Sequence, residues 1–186
     1  MEKDIEKKEF KKVTIPVVKY FWSSSSLIGK KVKNIPKFLR DVDVFADLSS
    51  NELRILTKFL HIREFSPEEL IIKKGQKGIG FYLIYGGQVR AYDTENDAAS
   101  YLDEGEYFGE LALLQKNSIR NANVVATGKV TLLGILRPDL DDLIDSHPKI
   151  SAKLIQSLSL IVANRFNSAV EEVINLKNKI QAMRNE

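Results

Sequence analysis

The sequence predicts a mainly β domain flanked by helices, and two periodicities of its apolar residues support this prediction. Between residues 62 and 136, short apolar runs alternate with glycine-containing turns, which is typical of strands. Before and after this region, apolar residues recur three and four positions apart, which is typical of helices. Closely spaced strands with glycine turns favour an antiparallel sandwich or barrel over alternating strand–helix units.

The predicted strands are separated by residues that favour turns. The pair Gly86-Gly87 lies between two apolar runs and predicts a β-hairpin there. The run before Gly75 is the first of the series. Runs with the composition of strands are 70–72, 81–85, 88–92, 99–102, 122–126 and 130–136.

Helices are predicted on both sides of the strands. Ser49 followed by Glu52 is a capping-box signature, which marks the start of a helix, and residues 36–40 indicate another short one. Pro138 is predicted to be the first residue of a helix, because proline is favoured at helix starts. Pro148 is predicted to open a second, long helix that runs to the C-terminus.

The long C-terminal helix has an apolar seam with the spacing of a coiled coil. Such a seam, sustained for about three heptads, predicts a homodimer in which two copies of this helix pair. A single amphipathic helix packed on its own domain remains the alternative. Glu172 and Lys177 would attract across a parallel dimer whereas Lys179 and Arg184 would repel, so charge leaves the orientation open. The seam residues are Val162, Phe166, Ala169, Val173, Leu176, Ile180 and Met183.

The composition limits the class of protein. A chain of 186 residues with 44% apolar residues is typical of a soluble globular domain with extensions. The sequence has no cysteine, so disulfides and thiolate chemistry are excluded. No apolar run approaches the roughly 20 residues of a membrane-spanning helix, and the first dozen residues mix acids and bases, unlike a secretory signal. We therefore expect a cytoplasmic protein.

Charge is distributed unevenly along the chain. The net charge is +3, but residues 1–40 contain eleven Lys and Arg against four Asp and Glu, and the remainder contains seventeen against twenty-one. Residues 1–35 are therefore interpreted as a basic N-terminal extension. It is either solvated or in contact with an anionic surface or with the acidic body of the chain itself.

The most informative stretch runs from Tyr107 to Val124. Gly109 allows a tight turn between a strand end and a short helical turn, which would aim free amides at an anionic phosphate. Glu110 would repel a bare phosphate but could accept hydrogen bonds from a sugar hydroxyl. Arg120 could offer a bidentate fork to phosphate oxygens. Together these features indicate a nucleotide site. No nucleophile–base pair and no metal-ligand spacing is visible, so we expect neither an enzyme nor a cofactor.

This stretch resembles the phosphate-binding cassette of the cyclic-nucleotide-binding domain family, which occurs in catabolite activators, kinase regulatory subunits and gated channels. The family pattern Phe-Gly-Glu-Leu-Ala-Leu is met by residues 108–113, and Arg-x-Ala-x-Val by Arg120, Ala122 and Val124. The resemblance implies an eight-stranded antiparallel, jelly-roll-like β-roll with short N-terminal helices and a long C-terminal helix. DNA binding is not expected, because no helix-turn-helix follows the long helix in this sequence.

The resemblance also assigns roles to residues. It implies that Glu110 accepts from a ribose 2′-hydroxyl and that Arg120 pairs with the cyclic phosphate. The start of the long helix would form a lid over the purine. Backbone groups completing the cradle would be those of Gly109, Leu111, Ala112, Asn121 and Ala122, and the lid residues would be Asn164, Arg165 and Phe166.

The resulting functional hypothesis is a regulatory switch. Residues 36–150 would form the β-roll that binds a cyclic nucleotide, and residues 151–186 would form the helix that signals to an unnamed downstream protein. In this family, a threonine directly after the arginine resembles the cGMP-preferring members. This chain has Asn121 at that position, so cAMP is favoured. The alternative is a structural dimerisation module of the same fold that binds no ligand.

Overall fold

The computed structural model describes residues 34–93 and 98–184. The predicted basic extension therefore lies outside the described residues except for its last two positions. Within these ranges, eight strands form two four-stranded antiparallel sheets. The sequence-based prediction of an eight-stranded β-roll with flanking helices is confirmed.

Each sheet contains four strands that come from separate parts of the chain. The strands are β1 (His61–Phe65), β2 (Leu70–Ile72), β3 (Gly80–Gly86), β4 (Val89–Asp93), β5 (Ala98–Leu102), β6 (Tyr107–Phe108), β7 (Asn123–Ala126) and β8 (Val130–Leu136). The first sheet has the order β1-β8-β3-β6, and the second has the order β2-β7-β4-β5.

The predicted hairpin at Gly86-Gly87 is wrong. Strand β3 pairs with β8 and β6, whereas β4 pairs with β5 and β7, so the chain crosses between the sheets at this turn. Gly87 has a φ of +88°, and a Cβ there would run into the carbonyl oxygen of Lys129. The glycine is needed for the crossing, because a side chain fits neither this backbone conformation nor the space.

The helices pack against one face of the first sheet. They are α1 (Ile35–Arg40), α2 (Ser50–Leu56), α3 (Leu111–Leu114), α4 (Arg137–Ser146) and α5 (Pro148–Arg184). The predicted capping box is confirmed: the Ser49 amide donates to Glu52 Oε2 at 2.8 Å, and the Glu52 amide donates to Ser49 Oγ at 3.4 Å. Pro148 opens α5 as predicted, whereas Pro138 is the second residue of α4 and not the first.

The core has two layers that share the central strands. On β3, Phe81 and Leu83 pack against the helices, whereas Tyr82 and Ile84 point between the two sheets. Alternate residues of β8 divide in the same way. Burial of both faces explains why these strands are nearly continuous apolar runs in the sequence.

Helix α5 has a buried first part and an exposed second part. Ile150, Leu154 and Leu158 are buried in the helical layer of the core. From residue 163 to residue 184 the side chains are exposed, and this stretch includes most of the predicted seam. Within residues 34–93 and 98–184, no helix has both the length and the hydropathy to cross a membrane.

Candidate ligand-binding site

A cavity of about 240 Å³ lies beside α3 and the loop that leads into β7. Phe108, Ile72 and Val124 contribute apolar surface to it, and Arg165 reaches it from α5. Six of the seven residues predicted as ligand contacts line this cavity: Gly109, Glu110, Leu111, Arg120, Asn121 and Ala122.

Gly109 fixes the turn that brings the cassette against the first sheet. Its φ is +81°, a conformation that residues with side chains rarely adopt. A Cβ on Gly109 would collide with the Arg120 guanidinium and would lie 2.9 Å from the carbonyl oxygen of Gly80. Only glycine lets the arginine approach the backbone this closely.

The Arg120 side chain is buried, with 8% of the residue exposed. Its Nη2 donates to the Gly80 carbonyl at 2.7 Å, and its Nη1 donates to the Gly109 carbonyl at 3.3 Å. The guanidinium carbon lies 5.5 Å from the centre of the Tyr82 ring. Burial lowers the pKa of Arg120, although Tyr82 and Glu110 oppose this shift, and burial also raises the pKa of Tyr82. The positive charge of Arg120 is therefore stabilised by two carbonyl oxygens and by the Tyr82 ring.

Glu110 is equally buried, with 7% exposed, and directly precedes α3. Its Oε1 accepts a hydrogen bond from Arg165 Nη1 at 2.8 Å. Arg165 Nη2 also donates to the Tyr107 carbonyl at 3.4 Å. Within the described part of the chain, Arg120 forms no ion pair, so the two buried charges of the cassette do not neutralise each other directly. The glutamate is instead tied to the long helix.

Backbone amides of the residues that line the cavity are further candidate polar groups. Among the described residues, the amides of Glu110, Leu111, Asn121 and Ala122 donate none of the backbone hydrogen bonds that hold the loops and turns. Free amides next to a buried guanidinium can receive an anion. Asn121 is exposed at the cavity edge, where its amide side chain can both donate and accept.

Three predicted residues lie elsewhere. Ala112 is buried and lines a different cavity, because successive residues of a helix point about 100° apart, and the role predicted for its backbone stays a prediction. Asn164 and Phe166 are exposed on α5, and 67% of Phe166 is accessible, so neither covers the cavity. Of the three proposed lid residues, the structure brings only Arg165 to the cavity.

The structure also adds contacts that sequence reasoning missed. The Gly80 carbonyl and the Tyr82 ring both support Arg120, yet they lie 40 and 38 positions earlier on β3. Ser118 is buried and lines the cavity within the loop before Arg120. Only the pairing of strands reveals these neighbours. No group of three or more carboxylate or imidazole side chains among the described residues could hold a metal ion.

The fold and the site together define a β-roll that places a buried guanidinium and a buried carboxylate beside one small cavity. Residues 62–147 match the family model for the cyclic nucleotide-binding domain. This segment is therefore a cyclic nucleotide-binding domain by its similarity to the family, and the family model does not extend to the rest of the chain.

Similar proteins come from both kinases and transcription regulators. A cAMP-dependent protein kinase regulatory subunit from Mycosarcoma maydis is 39% identical over 95 residues, which are 50% of this chain and 18% of that protein. A cGMP-dependent protein kinase from Eimeria tenella is 32% identical over 105 residues, covering 56% of this chain and 10% of the kinase. The crystal structure of the Thermus thermophilus catabolite activator protein has a TM-score of 0.64 and 27% identity, covering 73% of this chain and 63% of that one.

The chain spans about a fifth of the length of the kinase regulatory subunits it matches. The likeness therefore concerns one domain of those proteins. The matched segment, 62–147, contains the whole cassette and ends before α5, so the long helix falls outside the family model.

Proposed function

We propose that this domain is a sensor that binds a cyclic nucleotide, cAMP in preference to cGMP, and signals through α5. The observation that carries the proposal is the buried Arg120 beside the 240 Å³ cavity. A buried charge that forms no ion pair is unfavourable, and a bound phosphate would supply the partner. The free amides around the cavity support an anionic ligand in the same place.

Glu110 supports a sugar next to that phosphate. The ion pair with Arg165 uses Oε1, so the second carboxylate oxygen remains available to accept from a ribose hydroxyl. Arg165 also neutralises Glu110, which reduces the repulsion that an anionic ligand would otherwise meet. A cyclic nucleotide contains both the anion and the ribose in a compact molecule.

The same ion pair supports a route for the signal. Arg165 lies on α5 where the buried part of the helix gives way to the exposed part, and it reaches Glu110 and the Tyr107 carbonyl. A ligand that contacts Glu110 would alter this link. The ligand can shift α5 between two positions only if the protein binds it with a different affinity in each.

The preference for cAMP rests on Asn121 and on the relatives. Asn121 lines the cavity. A threonine at this position would resemble the cGMP-preferring members of the family, and this chain does not have one. The relative at 39% identity is a cAMP-dependent kinase subunit, whereas the cGMP-dependent kinase is 32% identical. We expect cAMP to bind more tightly than cGMP, and Asn121→Thr to reduce the difference.

We further propose a homodimer formed by the exposed half of α5. Five apolar seam residues there are at least half exposed, namely Phe166, Val173, Leu176, Ile180 and Met183. Apolar side chains at heptad spacing are stabilised by burial against a second helix. The same surface would serve the alternative function, a structural dimerisation module without ligand.

Titration calorimetry with cAMP, cGMP and 5′-AMP tests the proposal. Wild type should bind the cyclic nucleotides more tightly than 5′-AMP. Arg120→Ala should weaken binding by about 2–4 kcal/mol, the scale of removing a partner from a buried charge pair. Arg120→Lys, which keeps the charge but not the fork, should lie between them, and the exposed Arg54→Ala on α2 should be unchanged.

The outcome also separates the two functions. If wild type binds neither cyclic nucleotide, the module without ligand is the better description. If Arg120→Ala stays folded by thermal unfolding and binds like wild type, the phosphate is bound elsewhere.

A further inference from the structure

A second cavity, of about 310 Å³, shares α3 with the candidate nucleotide site. We name it the apolar cavity. Its inner surface is formed by Gly78, Ile79, Ala112, Leu136 and Pro138. Leu111 lines the nucleotide site and Ala112 lines the apolar cavity, so a single helical turn is a wall of both. The volume lies at the lower end of the range for small-molecule sites.

Gly78 separates the apolar cavity from Arg120. A Cβ at Gly78 would lie 3.0 Å from Ala112 Cβ and 3.4 Å from Arg120 Cζ. Gly78 is therefore packed closely against both Ala112 and the Arg120 guanidinium. Arg120 does not line the apolar cavity. A molecule bound in the apolar cavity would therefore not use the phosphate-binding arginine, and the two sites are distinct.

Among the described residues, three with cationic side chains line the apolar cavity. Lys77 and Lys116 are exposed at its edge, and neither makes an ion pair or a side-chain hydrogen bond within residues 34–93 and 98–184. Arg137 is held in place by hydrogen bonds to the Leu113 carbonyl at 2.7 Å and to Asp141 Oδ1 at 3.3 Å. The two lysines are therefore the charges that a ligand could engage.

Asp139, the one residue with a carboxylate that lines the apolar cavity in the described part of the chain, already has partners. Asp139 Oδ2 accepts from the Leu136 amide at 2.9 Å and contacts His61 Nε2 at 2.8 Å. These contacts fix Asp139 at the start of α4. Cations outnumber the acid at this cavity, so its potential favours an anion.

We propose that the apolar cavity binds a small apolar anion, an aliphatic or aromatic carboxylate. The apolar body would cover Ile79, Leu136 and Pro138, and the carboxylate would point to Lys77 and Lys116. A sugar or a phosphate suits this cavity poorly, because its inner surface offers few polar partners to replace water. The proposal does not depend on cyclic-nucleotide binding.

Octanoate is the test ligand, with octan-1-ol and octylammonium as neutral and cationic molecules of equal chain length. Amide chemical shifts, recorded in ¹H–¹⁵N spectra of the full chain below the micelle concentration, locate the site. Octanoate should shift the amides of Gly78, Ile79 and Ala112. It should bind about fivefold more weakly to the double variant Lys77→Gln, Lys116→Gln, as expected for losing two exposed charge contacts.

The matched control is Lys58→Gln, Lys149→Gln, which removes two exposed lysines away from the cavity and should bind octanoate like wild type. The proposal is overturned if octanoate does not bind, if the alcohol or the amine binds as tightly, or if the Lys77, Lys116 variant retains full affinity. Shifts confined to Leu111 and Asn121 would also overturn it, because octanoate would then occupy the nucleotide site. Calorimetry with cAMP on the same variants keeps this result separate from the proposed sensor function.

Discussion

The buried Arg120 guanidinium can occupy its position only because Gly109 has no side chain. Gly105 provides a matched comparison, because it also has a positive φ, of +88°, but a Cβ added there would have open space around it for 4 Å. Replacing either by alanine adds backbone strain of about 1–2 kcal/mol. Only at Gly109 would the new methyl group also displace Arg120.

We therefore expect Gly109→Ala to lower cyclic-nucleotide affinity and Gly105→Ala to leave it near the wild-type value. Urea unfolding should show Gly109→Ala to be the less stable of the two variants. Calorimetry with cAMP measures the affinities. Equal affinity in the two variants would mean that the Arg120 position does not depend on this turn.

Glu110 can be tested through the sugar that it is proposed to contact. Glu110→Gln should weaken cAMP binding less than Arg120→Ala, because the amide oxygen still accepts one hydrogen bond. With 2′-deoxy-cAMP, the same substitution should have little effect. The exposed Glu104→Gln serves as a control that removes a nearby charge. Equal losses with both nucleotides would exclude the contact with the 2′-hydroxyl.

At the scale of residues, the motif located the site but not its supports. The spacing of Gly109, Glu110 and Arg120 predicted three residues that the structure brings to one cavity. The backbone of Ala112 was predicted to join them, but the residue lines the other cavity, because successive residues of a helix point about 100° apart. The partner of Glu110 is Arg165, 55 positions later on α5, and no local pattern encodes that distance.

The elements show a similar division between local and long-range information. Helix caps and strand composition are local, so the Ser49–Glu52 cap and the strands 70–72 and 130–136 were predicted with their observed bounds. Strand partners are long-range. The Gly86-Gly87 turn has the composition of a hairpin, but β3 and β4 each pair with strands from distant parts of the chain, so the turn joins the two sheets.

Helix α2 is tied to α5 through the same glutamate that caps it. Lys153 Nζ on α5 donates to both carboxylate oxygens of Glu52, at 2.9 and 3.0 Å. Hydrogen bonds from Lys153 first, and from Ser49 second, lower the pKa of Glu52 from 4.5 to about 2. The lowered pKa means that the charged carboxylate stabilises the folded state. This stabilisation is complete above the unfolded-state pKa and is lost as the pH falls towards 2.

Glu52→Gln should therefore lower the free energy of unfolding at neutral pH, and the difference from wild type should shrink below about pH 4.5. Urea unfolding between pH 7 and pH 3 measures this difference. Glu68→Gln, at an exposed loop carboxylate, is the control and should show no comparable trend. A difference that stays constant down to pH 3 would mean that the Glu52 charge does not contribute.

For the whole molecule, the exposed half of α5 predicts a dimer. Cutting the chain after Asn167 removes most of the seam but keeps Arg165 and every buried residue of α5. Light scattering should show a dimer for the full chain and a folded monomer for the shortened one. Leu176→Glu in the full chain should also give a monomer, because it places a charge in the seam. A monomeric full chain would refute the pairing.

The division of the chain into an extension of residues 1–35, a roll of 36–150 and a helix of 151–186 stays a prediction. The packing has no break at residue 151, since Ile150, Leu154 and Leu158 belong to the same buried cluster as the α2 residues Leu53 and Leu56. Periodicity distinguishes a helix from a strand, but it does not reveal which part of a helix belongs to the body of the domain.

The register between β1 and β8 has a consequence for how this chain is synthesised. His61 pairs with Gly134 and Phe65 pairs with Val130, and β8 is the sole partner of β1 among the described strands. Nearly the whole roll is therefore translated between the two strands. Since β8 lies between β1 and β3, the four strands of the first sheet can be joined only after β8 has been translated. A nascent chain that ends before Val130 lacks the strand that joins β1 to β3, so β1 has no strand partner until β8 is translated.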